Sequence, residues 1–147
     1  MKDEETDSDK EAEAMKFFNS SAKIVTVDGD MSFDKETIYI RDRSTFNSTE
    51  DYIAALSYLT ANKLGGCKDE KLVPIKELVS EIATGFISGY LGYNYKFSDQ
   101  NLHRINAWIS FIGGNKGVVF KACAEAQRVL DMFINNHSNT EDLLGNI

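Results

Sequence analysis

One proline, two cysteines, two histidines and a single tryptophan are all that 147 residues carry of those types, and each scarcity removes a class of protein. Cys67 and Cys123 lie 56 residues apart, which fits neither a zinc ribbon nor a CxxC redox pair. They read as two free thiols in a reducing compartment, or as one bridge in an exported protein, where closing that loop would stabilise the fold by roughly 2–4 kcal/mol. His103 and His137 fall in no HxxxH or HExxH pattern, so neither points to a metal, and no cofactor is expected. No apolar run reaches the length of about 18 residues that spans a bilayer. The first 20 residues have neither the basic start nor the apolar centre of a signal peptide. The sequence as it stands reads as soluble and cytoplasmic, or as periplasmic if an export signal has been removed.

An excess of basic residues is also missing. The formal net charge is −7, the wrong sign for binding phosphate backbones, so no nucleic-acid partner is expected. Most of that charge is local: residues 1–14 hold seven acidic groups against two lysines, and the rest of the chain is left nearly balanced at −2. A mimic of duplex DNA would need its carboxylates spread over a folded surface rather than gathered in one short segment.

The composition that remains, 42% hydrophobic and 27% charged, is that of a globular protein. One domain of this length buries roughly 68–70% of its unfolded surface without staples. The expected organisation is a disordered acidic tail over 1–14, a single helical domain with an N-terminal hairpin over 15–135, and a flexible polar tail over 136–147. Within residues 1–14 the apolar side chains are Met1, Ala12 and Ala14, too few to offset the entropy of ordering. Residues 23–27 (Lys-Ile-Val-Thr-Val) and 37–41 (Thr-Ile-Tyr-Ile-Arg) are β-branched runs around a turn-rich Asp28-Gly29-Asp30, and they predict a small hairpin.

Four helices follow. Ser48 reads as an N-cap with Glu50 and Asp51 in the first turn, and Tyr52, Leu56 and Leu59 recur at helical spacing until Gly65-Gly66. Pro74 suits the start of a second helix with the stripe Ile75, Leu78, Val79, Ile82 and Phe86. Ser98 caps a third, carrying Leu102, Ile105, Ile109 and Ile112 to Gly113. The fourth runs from Val118 to about Asn135, burying Val119, Ala122, Ala126, Val129 and Phe133, with Lys121, Glu125 and Arg128 paired on its wet side. The predicted fold is therefore mostly α: a compact bundle of about four helices, a short N-terminal β-hairpin and a disordered acidic N-terminal tail.

The most unusual local feature is Thr84 to Gly92, in which Gly85, Gly89 and Gly92 fall on one stripe at i, i+4 and i+7. Each glycine costs about 1 kcal/mol in a helix interior, so three on one face predict close approach, either of a packed helix or of a ligand or partner. Tyr90, Tyr93 and Tyr95 add an aromatic rim suited to protein contact. These six residues are the candidate binding site. The turn Gly113 to Gly117, with Lys116, offers a site for an anion, and Cys67 with His103 would be the pair behind a cysteine-dependent enzyme.

From Cys67 onward the chain resembles the small helical domains of the HdeA type, acid-stress chaperones and related helical immunity proteins. The resemblance rests on Gly85 to Leu91 with Asn94, on Ala107-Trp108-Ile109, on Asn115, and on the alanine-rich last helix ending in Val129-Leu130. It implies a small protein that acts by direct contact, as an immunity protein, inhibitor or chaperone. Such domains usually carry a disulfide, which the resemblance implies is here either missing or relocated to Cys123, because Ile112-Gly113-Gly114 stands where the family's cysteine would be. The function expected overall is non-enzymatic binding of another protein, with a homodimer compatible; the alternative is a helical domain for a small molecule or anion.

Overall fold

The computed structural model describes residues 7–65, 75–95 and 116–145, with His103, Asn106, Ser110 and Gly113 between the last two stretches. Among these lie four α-helices, α1 (Asp7–Ser21), α2 (Thr49–Gly65), α3 (Lys76–Tyr90) and α4 (Lys116–Gly145), and three strands, β1 (Lys23–Val27), β2 (Ser32–Phe33) and β3 (Thr37–Arg41). The mostly helical fold with a little β structure on its N-terminal side is the one the periodicities predict. The third predicted helix, residues 98–112, lies outside the described residues except at His103, Asn106 and Ser110, as do Cys67 and Pro74.

Residues 7–14 correct the expected tail: they are the first two turns of α1. Hydrophobicity alone misjudged them, because Glu, Lys and Ala are strong helix formers and Asp7 and Asp9 sit favourably at the positive end. The helix is held from its other end, where Ala14 and Phe18 are buried. Arg43 Nε lies 2.6 Å from Glu11 Oε1 and ties its middle to the turn before α2.

The hairpin is present, but between β2 and β3. Ser32 pairs with Tyr39 and Phe33 with Ile38 in antiparallel register. The two β-branched runs lie side by side in parallel, from Lys23 opposite Thr37 to Val27 opposite Arg41, giving the order β1-β3-β2. Asp34 makes the reversal: one carboxylate oxygen accepts from the backbone N–H groups of Glu36 (2.9 Å) and Thr37 (2.8 Å), and the other accepts from the Tyr39 hydroxyl (2.7 Å). The central strand β3 turns Ile38 and Ile40 fully into the core.

That core is built where α1, β3, α2, α3 and α4 meet, around Phe18, Ile38, Ile40, Ile53, Leu56, Ile87, Val129 and Phe133. A smaller cluster of Ile75, Leu78, Val79 and Ala122 closes the other end of α3 on α4. The N-cap expected at Ser48 is observed: its hydroxyl accepts from the Asp51 N–H at 3.1 Å. Arg128 pairs with Glu125 as its spacing predicts (3.1 Å), and it also donates to the Gly65 carbonyl at 2.8 Å, pinning α4 to the end of α2.

The second correction is at the C-terminal side. Residues 136–145, expected as a flexible tail, continue α4 to a length of 30 residues, or about 45 Å at ~1.5 Å per residue. The continuation is helical because α1 lies alongside it. Phe17 stacks on His137 with centroids 3.9 Å apart, the Ser20 hydroxyl lies 3.3 Å from His137 Nδ1, and Asn136 donates to the Ser21 hydroxyl at 3.2 Å.

Candidate functional site

The C-terminal end of α3 positions the candidate site. Helix α3 stops because Gly92 adopts φ +86, a left-handed conformation that glycine takes without a Cβ penalty. Tyr93 N–H then reaches back to the Ser88 carbonyl (2.9 Å) and Gly92 N–H to the Gly89 carbonyl (3.0 Å), the double closure of a Schellman motif. Gly92 is therefore a helix stop and not part of a helical stripe. Gly89 is exposed, and among the described residues a Cβ built on it meets nothing within 4 Å. At Gly85 a Cβ would sit 3.7 Å from Cδ1 of Tyr95, whose ring covers that face of the helix.

The Schellman turn sends the chain out as Tyr93, Asn94 and Tyr95, and these form one wall of a cleft of about 370 Å³. The start of α2, with Ser48, Glu50, Asp51 and Ala54, and Lys10 of α1 line the same cleft. Tyr93 is buried. Tyr95 is half-buried, and its hydroxyl donates to Glu81 Oε2 at 2.6 Å, which fixes the wall against the flank of α3. Lys10 Nζ lies 4.1 Å from the Tyr93 ring centroid and donates to the Gly92 carbonyl at 2.6 Å.

Tyr90 belongs to a neighbouring cleft of about 290 Å³, which it shares with Phe17, Ala14 and Leu91. Its exposed ring meets Phe17 edge-on at 5.5 Å. Of the six candidate residues, the structure gathers Gly92, Tyr93 and Tyr95 in the first cleft and Tyr90 with Gly92 in the second. Gly85 lies beneath Tyr95, and Gly89 lines neither. Lys10, Glu50 and Asp51 escaped the sequence reading as site residues. The acidic pair was legible as a helix start, but nothing local says that it faces the end of α3. The anion turn is described only in part, at Gly113, Lys116 and Gly117, and the Cys67–His103 pair lies outside the described residues at Cys67. Cys123 is a half-buried free thiol.

Beneath the cleft, the seam between α2 and α3 is polar. Ser57, Thr60, Ser80, Glu81, Thr84 and Ser88 are all buried. Ser80 donates to Asn62 (2.9 Å), Thr84 to the Ser80 carbonyl (2.7 Å) and Ser88 to Ser57 (3.3 Å), whereas Thr60 Oγ1 has no partner among the described residues. The Ser80–Asn62 and Ser88–Ser57 bonds cross from α3 to α2 and help fix the register of the two helices.

No protein-family model matches the chain, and no curated protein matches it either. Among solved structures, it is similar to the metal-free crystal structure of the antirestriction ArdC protein from the R388 plasmid, at 26% identity and a TM-score of 0.72, over 86% of this chain and 51% of that one. The Mn(II)-bound structure of the same protein aligns at 23% identity and a TM-score of 0.70, over 87% of this chain and 53% of that one. The chain thus spans about half the length of the solved protein it matches.

This likeness overturns the resemblance to HdeA-type domains. The residues behind that resemblance serve needs common to many helical folds. Ile87 is packed in the core, and Ala122 and Ala126 are small where α4 closes on it. Ala107-Trp108-Ile109 lie outside the described residues. The metal of the second structure finds no counterpart donor set among the described residues, where no group of three or more His, Cys, Asp or Glu side chains converges. Mn(II) favours an octahedral shell of carboxylate, carbonyl and water oxygens. The buried α2–α3 layer offers hydroxyls and one carboxylate, Glu81, which already accepts from Tyr95.

Proposed function

We propose that this chain is a protein-binding module of antirestriction type, which contacts a component of a restriction system through the cleft at the end of α3. The observation that carries this reading is the cleft itself: two tyrosines on a turn fixed by a Schellman motif, facing the carboxylates at the start of α2. Rigid aromatic side chains beside polar groups are the usual anchors of protein interfaces, because they bury large area at little cost in side-chain entropy. The acidic wall favours a protein surface over a nucleic-acid backbone. The fold likeness to an antirestriction protein supplies the biological class.

The test is a plasmid-transfer assay. Unmodified plasmid is introduced into a restriction-proficient host and into its restriction-deficient sibling, each with and without this chain. The chain should raise plasmid recovery in the proficient host alone, and Tyr95→Ala and Asp51→Asn should each remove that gain, the first with a lowered melting temperature because the buried Glu81 loses its phenol donor, the second with a melting temperature close to that of the parent. Equal recovery with and without the chain overturns the antirestriction reading.

A further inference from the structure

We propose that the cleft at the end of α3 is a receptor for a lysine or arginine side chain of a partner protein, next to an apolar residue, and that Lys10 is its internal occupant. This rests on the reading of the cleft as the contact surface and names what that surface recognises.

The cleft already holds an ammonium group. Lys10 Nζ stands over the Tyr93 ring and donates to the Gly92 carbonyl. A π face and a backbone carbonyl both bind a cation directly, and this carbonyl comes from the end of a helix, where the backbone carries partial negative charge. Glu50 and Asp51 line the same cleft and add two formal negative charges. A phosphate or carboxylate ligand would meet these groups with the wrong sign. An incoming guanidinium or ammonium meets the arrangement that Lys10 now satisfies.

The second cleft gives the partner its other half. Lys10 and Gly92 line both clefts, so the lysine side chain is the partition between them. Rotating it outward takes a change of side-chain rotamers in a partly exposed residue and no movement of α1, which Ala14 and Phe18 hold in the core. The two cavities then join into one groove, acidic and aromatic toward Asp51, with Phe17, Tyr90 and Leu91 as an apolar patch beside Glu13 at the other end. Because one cation replaces another, the charge balance of the groove is conserved. Selectivity then falls on the neighbouring apolar residue, so a free amine or a solitary lysine gains little over Lys10.

The experiment is an NMR titration of the full ¹⁵N-labelled chain with three capped peptides: acetyl-Leu-Lys-Gly-amide, acetyl-Leu-Arg-Gly-amide and acetyl-Leu-Glu-Gly-amide. The two basic peptides should shift the amides of Gly92, Tyr93 and Asp51, and the acidic one should not. Removing the internal occupant with Lys10→Ala should tighten binding of the basic peptides several-fold. Lys10→Met, which keeps the apolar stem and drops the charge, should do the same with an unchanged melting curve, and it covers the case in which alanine loosens α1. Glu50→Gln with Asp51→Asn should abolish the shifts. Equal binding of the acidic peptide, or unchanged or weaker affinity in Lys10→Met, overturns the proposal. If the peptides show no charge preference while Tyr95→Ala still removes antirestriction, the contact surface stands and the cationic assignment falls. If antirestriction is absent and the basic peptides still bind with Lys10 in competition, the receptor stands and the biological class falls.

Discussion

Alanine substitution at Gly89 and at Gly92 should move stability in opposite directions, although the two glycines are three residues apart. Gly89 is helical and exposed, and none of the described residues occupies the space where a Cβ would go. Alanine there restricts the unfolded chain and clashes with nothing, so Gly89→Ala should stabilise by about 0.5–1 kcal/mol. Gly92 has φ +86, and its Cβ would come within 3.3 Å of Lys10 Cε. The lysine stem can give way, but the backbone cannot, so Gly92→Ala should destabilise by roughly 1–2 kcal/mol. Urea melts of the two variants check this, and a loss of stability in Gly89→Ala would restore the close packing that the glycine spacing predicts. The spacing i, i+4, i+7 is the same in both readings. Only the backbone angle at the third glycine separates a packed stripe from a helix stop, and that angle is set by where the chain goes next.

At the scale of elements, the β2–β3 hairpin hangs on one carboxylate. The Tyr39 hydroxyl, and after it the backbone N–H groups of Glu36 and Thr37, hold the Asp34 carboxyl below the usual aspartate range. A lowered value means that the folded state favours the charged form. The stabilisation is therefore complete above the ordinary unfolded value, near pH ~4, and disappears as pH falls through the lower value of Asp34 itself. NMR titration of the Asp34 carboxyl should give a midpoint below that of an aspartate in an unstructured peptide, and Asp34→Asn should flatten this part of the acid limb of the stability curve. A midpoint at or above the peptide value would remove the turn from the account. This element shows how far the sequence was legible. The strands themselves and the Ser48 cap follow from local chemistry. The parallel partnering of 23–27 with 37–41 does not, because register depends on which face α1 and α2 cover. The same limit applies to the cleft. Its tyrosines are local to one turn and could be read there, whereas Lys10 and Gly92 are 82 residues apart, and no periodicity links them.

For the whole molecule, Phe18 is the residue that makes α1 part of the domain. It is fully buried, 5.2 Å from the ring of Phe133. Phe18→Ala should cost about 3–5 kcal/mol, a large share of the roughly 5–15 kcal/mol that holds a domain of this kind together. The loss should be global. Urea transitions followed by Trp108 fluorescence and by far-ultraviolet circular dichroism should move to lower denaturant together. An early, separate loss of helical signal would mean that α1 and the end of α4 melt as their own unit.

The clasp between α1 and the end of α4 also has a consequence for synthesis. Ser20 and His137 touch across 117 residues of chain. A ribosome adding about 5–20 residues per second leaves α1 without that partner for on the order of ten seconds. Until α2 and α3 emerge Phe17 and Phe18 face water, a neighbouring nascent chain or a chaperone, and after that they still lack the rings of Phe133 and His137. The packing of α1 is thus completed only after α4 has emerged, and the protein's exposure to aggregation depends on translation speed as well as on the strength of its finished core.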